Sequence, residues 1–176
     1  MNKKVITIFG SGKSIEEDDE YRASFELGRK LASSGFTIAN GGYGGTMEAV
    51  AKGAREAGGD AIGVTCRAFG PGGANEYVTR EIKTDTLDER LLRLIELGDG
   101  YVVLAGSTGT LLELAQVWEF KNKGFLKADK PVILLGKFWE PVVALVTGKD
   151  CESRQYLKMI DSPEEVVNYL MSALRI

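Results

Sequence analysis

The chain predicts an α/β fold, with a mostly parallel sheet of about six or seven strands and helices packed on both of its faces. Short β-rich runs alternate with longer helical patterns along the 176 residues, which is the signature of βαβ units feeding a parallel sheet. Three of the β-rich runs also pass straight into glycine-rich turns: FGSGKS (9–14), NGGYGGT (40–46) and AGSTGT (105–110). A chain of this length fits one domain with a sizeable core.

In chain order, strands are expected at 5–10 (VITIFG), 36–40 (FTIAN), 61–66 (AIGVTC), 81–85 (EIKTD), 101–106 (YVVLAG) and 131–136 (PVILLG). A last short strand is expected at 156–160. These short β-rich runs alternating with helical patterns fit a parallel sheet covered on both faces. Helices fall between them, over about 18–34, 45–57, 87–97, 109–123, 139–146 and 163–174. The segment RAFGPGGANEYVTR (67–80) is the only long irregular stretch, and it reads either as a binding loop or lid or as a disordered segment.

Composition narrows the chemistry. Lys plus Arg number 22 against 25 Asp plus Glu, a net charge of −3, which gives no basic field for polymeric nucleic acid or an anionic membrane. The apolar run after MNKK is too short for a signal core, and no stretch approaches the length of a membrane span. Cys66 and Cys151 have no paired spacing and fit reduced thiols in a cytoplasmic protein. The chain has no histidine, which removes imidazole ligands, a Ser-His pair and a neutral-pH imidazole base together. No metal and no cofactor are expected, and any catalysis must run on carboxylates, Arg, Lys, Tyr, hydroxyls or backbone dipoles.

FGSGKS imitates a nucleotide-triphosphate loop, but the glycine such a loop needs five residues before Gly12 is Thr7. The dinucleotide fingerprint fails as well, because its third glycine position holds Ile15. The three glycine-rich turns carry more meaning together. At the carboxyl edge of an open parallel sheet they converge at helix starts, where free N–H groups and a partial positive charge suit an anion.

Two charged residues stand at that edge. Arg90 lies one step off the apolar stripe Leu87, Leu91, Leu94 and Ile95, where it could reach into a cleft or pair on the surface with Asp88 or Glu89. Glu113 sits in a helix apolar nearly all round, which is expected to be buried in the fold or in a subunit interface. Two roles for Glu113 stand side by side. Thr110-x-x-Glu113 spells a capping box, as Thr86-x-x-Glu89 and Ser162-Pro163-Glu164-Glu165 also do, and a carboxylate just inside an anion loop is placed to act on a phosphorylated substrate.

These residues carry a family resemblance. AGSTGTLLE (105–113) resembles the PGGxGTxxE pattern of the LONELY GUY (LOG) family, often labelled lysine decarboxylase-like, and DERLL (88–92) resembles its Glu-Arg pair. NGGYGGTMEAVAKGA (40–54) and FGSGKS resemble the family's remaining glycine loops, and the likeness runs in order from about Val5 to Phe138. The resemblance implies a Rossmann-like homodimer, without a cofactor, that hydrolyses the N-glycosidic bond of a nucleoside 5′-monophosphate. It makes Arg90 and Glu113 the catalytic pair, with Gly106, Ser107, Thr108, Gly109 and Thr110 as the phosphate loop. Ser11, Gly12, Gly42, Gly44, Gly45 and Thr46 then line the rest of the crevice.

The chain departs from the family pattern at Ala105, Ser107 and Leu91, where the family has proline, glycine and often lysine. A serine at 107 presents its N–H only if its φ is open to a residue with a Cβ. Molybdenum-cofactor carrier proteins, which bind without hydrolysing, resemble the chain in the same way and supply the alternative. Decarboxylase chemistry has no support, since the chain shows no pyridoxal-lysine context and no histidine to pair with such a lysine.

Overall fold

A computed structural model describes residues 3–175. Seven strands, β1 (Val5–Phe9), β2 (Thr37–Asn40), β3 (Ala61–Cys66), β4 (Arg80–Thr84), β5 (Gly100–Val103), β6 (Val132–Leu135) and β7 (Leu157–Ile160), form one sheet. Their order is β4-β3-β2-β1-β5-β6-β7, and every neighbouring pair is parallel. The helices are α1 (Asp19–Ser33), α2 (Thr46–Glu56), α3 (Leu87–Leu97), α4 (Thr108–Asn122), α5 (Glu140–Thr147) and α6 (Pro163–Leu174). This is a Rossmann-like α/β architecture.

The alternation of side chains along the strands builds two cores, one on each face of the sheet. Ile6, Ile8, Val102 and Ile133 face Leu27 and Leu31 of α1, Val50 and Ala54 of α2, and Val166 and Leu170 of α6. Their neighbours Phe9, Tyr101, Val103 and Leu134 face Leu94 and Ile95 of α3, Leu114, Val117 and Trp118 of α4, and Val143 of α5. The order reverses at β1, which pairs with β2 on one side and with β5 on the other. Loops leaving the carboxyl ends of these strands diverge to opposite faces and leave a crevice between them.

Helices α3 and α6 begin and end where expected, and the other elements shift by a few residues at most. Three local expectations are corrected. Helix α4 begins at Thr108 with Ser107 as its N-cap, so Thr110 lies inside the first turn and Thr110-x-x-Glu113 is no capping box. Leu87 is 38% exposed although it belongs to the apolar stripe of α3, and Arg90 takes the buried place on that face at 6%. Segment 67–80 opens with a 3₁₀ turn, Arg67–Phe69, and a second such turn, Cys151–Tyr156, precedes β7. The all-apolar helix is only half covered: Leu114, Val117 and Trp118 are buried while Leu111 and Leu112 stay exposed. Among the described residues no helix is long and apolar enough to cross a membrane.

Candidate active site

Arg90 is the fourth residue of α3, and the way this helix starts decides where its side chain goes. Thr86 Oγ1 accepts the N–H of Glu89 at 3.2 Å and the Glu89 carboxylate accepts the N–H of Thr86 at 3.4 Å, a complete capping box. Glu89 is thereby occupied by backbone and does not hold Arg90 at the surface. The Arg90 guanidinium turns inward, where Nε donates to the Val64 carbonyl at 2.9 Å and Nη1 approaches Glu113 Oε1 at 3.4 Å. Space for it exists because residue 41 is glycine: a Cβ built on Gly41 would overlap Arg90 Nη2.

Glu113 reaches the same point from α4. It is 7% exposed, its contact to Arg90 is longer than the usual ~2.9 Å of such a bond, and its Oε2 accepts no hydrogen bond from any described residue. Burial pushes the carboxyl up to about 7, and the neighbouring Arg90 charge and its hydrogen bond only partly oppose the rise. One oxygen is steered by an arginine and the other is left for a ligand.

The first turn of α4 completes the end wall. The Ser107 hydroxyl caps nothing, so the N–H groups that open this helix have no side-chain partner and point their dipoles outward. Ser107 has φ −103°, an extended backbone that any residue adopts, so serine in place of the family's glycine costs no strain here. Thr110 is 2% exposed and its side chain fills the space a Cβ on Gly106 would need.

A cleft of about 240 Å³ joins these parts. Of the residues expected at the crevice, Gly12, Arg90, Ser107, Gly109, Thr110 and Glu113 line it. The others support its walls. The Ser11 carbonyl accepts both the N–H and the hydroxyl of Thr46, at 2.9 and 3.1 Å, which ties the β1 loop to the start of α2. Gly45 allows that approach, because its φ is +67° and a Cβ there would strike the Ser11 carbonyl. Gly42 packs against β3 with its N–H on Asn40 Oδ1 at 2.8 Å, while Gly44, Gly106 and Thr108 also lie outside the lining. Lys13 is exposed and does not line the cleft.

Reasoning from the sequence missed Gly10, Tyr43, Met47 and Phe69, which all line the cleft, and Gly41 behind Arg90. Tyr43 and Gly41 lie within a motif already singled out, where a glycine facing a long cation was the available signal. Phe69 sits in the irregular segment and had none. A larger open groove of about 500 Å³ between α1 and α2 is lined in part by charged groups paired with each other, Lys52 with Glu16 at 2.6 Å, while its Tyr21 donates to Glu48 at 3.3 Å.

Known proteins resemble this chain in sequence and fold. Residues 3–167 match the SLOG cluster4 family. An uncharacterized protein of Archaeoglobus fulgidus is 30% identical over 173 residues, covering 98% of both chains. The cytokinin riboside 5′-monophosphate phosphoribohydrolase of Mycobacterium tuberculosis is 34% identical over 117 residues, which span 62% of this chain and 59% of that enzyme. The solved structure of the molybdenum cofactor binding protein from Rippkaea orientalis superposes with a TM-score of 0.80 at 25% identity, covering 99% of both chains. With the family match covering both Arg90 and Glu113 and the whole sheet, the chain belongs to the SLOG cluster4 family.

Proposed function

We propose that this protein hydrolyses the N-glycosidic bond of a nucleoside 5′-monophosphate, releasing the free base and ribose 5-phosphate. The observation that carries this reading is the buried Arg90–Glu113 pair set beside the uncapped start of α4. The phosphate binds the free N–H groups of Ser107 to Thr110, which fixes the distance from that end of the substrate to the reacting carbon. As the bond from C1′ to the base breaks, its electron pair leaves with the base nitrogen and positive charge builds on the ribose. The Glu113 carboxylate stabilises that charge where it develops, water adds its oxygen at C1′, and the proton the water loses ends on the departing base nitrogen. Arg90 orients Glu113 and the sugar. The similarity to the Mycobacterium tuberculosis phosphoribohydrolase supports the same chemistry.

The test is a panel of purine, pyrimidine and N6-modified monophosphates followed by chromatography of released base. Release that is lost by at least about a thousand-fold in Glu113→Ala, with the fold intact by circular dichroism, is the expected result. No base from any substrate at high enzyme concentration rejects the proposal. A second reading, a carrier that retains a nucleotide or molybdenum cofactor unchanged, is favoured by the match to the Rippkaea orientalis protein along the full chain. It predicts a stoichiometric ligand in native mass spectra and no turnover. In either case we infer a cytoplasmic homodimer, its second copy covering apolar residues such as Leu111 and Leu112, which are exposed in the single chain.

A further inference from the structure

Phe69 is 55% exposed at the mouth of the cleft, an unusual place for a phenyl ring to be held in order. It closes the 3₁₀ turn Arg67–Phe69 that follows β3 directly, and that turn is pinned from below. The Tyr43 hydroxyl accepts the N–H of Cys66 at 2.8 Å and donates to its carbonyl at 3.3 Å, so Tyr43 grips the residue just before the turn. Beyond the turn, the Asn75 amide donates to the carbonyls of Gly42 and Tyr43 at 3.2 and 2.8 Å. The Phe69 ring rests on Tyr43 with centroids 5.9 Å apart, and the Arg90 guanidinium lies 5.6 Å from each ring.

The cleft therefore has an order. The free start of α4 stands at one end, then Glu113, then Arg90, and the two rings stand beyond Arg90 on the loops after β2 and β3. A nucleoside monophosphate has the same order of parts, with phosphate, sugar and then a flat base. The lining also includes the apolar side chains Met47, Leu87 and Leu91, and the Tyr43 hydroxyl already donates one hydrogen bond and accepts another. Arg90 Nη2 is the free side-chain donor there, and the rings and apolar side chains around it offer a base their surfaces rather than hydrogen-bonding groups.

Resting on the function proposed above, we infer that Phe69, backed by Tyr43, is the stacking platform for the leaving base, and that the site selects the base by its aromatic face. A platform of this kind favours the larger face of a purine over a pyrimidine and tolerates substituents on the base edge.

Calorimetric titration with adenosine 5′-monophosphate, uridine 5′-monophosphate and ribose 5-phosphate tests this in the wild type, Phe69→Ala and Phe69→Trp. Because Phe69 is exposed, both variants should fold, which circular dichroism checks. We expect Phe69→Ala to weaken adenosine 5′-monophosphate roughly ten- to a hundred-fold, uridine 5′-monophosphate less, and ribose 5-phosphate not at all, with Phe69→Trp restoring the purine. Equal weakening of all three ligands overturns the inference, because Phe69 then acts only by holding Arg90. So does a wild type that binds adenosine 5′-monophosphate no more tightly than ribose 5-phosphate, although the phosphate site then stands. A wild type that binds none of the three removes the proposed function and the stacking role together.

Discussion

Helices α3 and α4 carry the same four-residue pattern, T-x-x-E, at 86–89 and 110–113, and use it in opposite ways. At α3 the threonine is the N-cap and the glutamate bends back to the backbone, so the helix start is closed. At α4 the helix begins two residues before the threonine, which puts Glu113 about one and a half turns in, facing the cleft rather than the helix end. Its own start is left uncapped. The pattern decides nothing by itself. Where the helix begins relative to the pattern turns one glutamate into a structural clasp and the other into a buried acid with a free oxygen.

The largest test of this contrast is the charge state of Glu113. Its carboxyl is raised to about 7, so the folded protein holds a proton there that the unfolded chain has already released. Stability is therefore lost as pH rises from about 4.5 to about 7, by about 3 kcal/mol, and Glu113→Gln should flatten that loss in urea unfolding at several pH values. If the carboxylate is the working form, base release should rise through the same window in the wild type. An unfolding free energy indifferent to pH in this range would mean the acid is not buried as described.

Gly41→Ala attacks the same pair from behind. The new methyl occupies the place of Arg90 Nη2 and forces the guanidinium away from Val64 and Glu113. Base release should drop by about a hundred-fold, as a ~1 Å displacement of catalytic groups commonly costs, and unimpaired activity would show that Arg90 is not needed where it stands.

The smallest effects come from the caps themselves. Thr86→Ala should cost about 1 kcal/mol through the lost cap, seen as a fall of about 2–4 °C in Tm for a chain of this size. Ser107→Ala should leave Tm unchanged, because that hydroxyl caps nothing. A reversal of the two results would mean that α4, not α3, is closed by its own side chain.

Most of the architecture was legible because the central strands are apolar on both faces, and β1, β2 and β5 run into turns with a physical reason to be glycine, as at Gly45. The convergence of turns on a crevice also followed from parallel strands alone. Strand order did not, since the pairing of β1 with β5 joins residues more than 90 positions apart through packing that no local pattern records. The site divides in the same way. Arg90 and Glu113 were nameable through family likeness, but their approach depends on α3 and α4 leaning together across 23 residues of chain. Phe69 was hidden because an exposed ring on a short turn has no periodicity, and the start of α4 was misjudged because two threonines and a serine compete to cap it.

Arg90 is anchored to β3 and to two aromatic rings as well as to Glu113, whereas Glu113 makes one long hydrogen bond among the described residues. The acid can thus be exchanged while the arginine and the cleft around it stay in place. Under the proposed hydrolysis, that asymmetry gives descendants of such a chain a single-substitution path from turning a ligand over to merely keeping it, with no rebuilding of the walls in between.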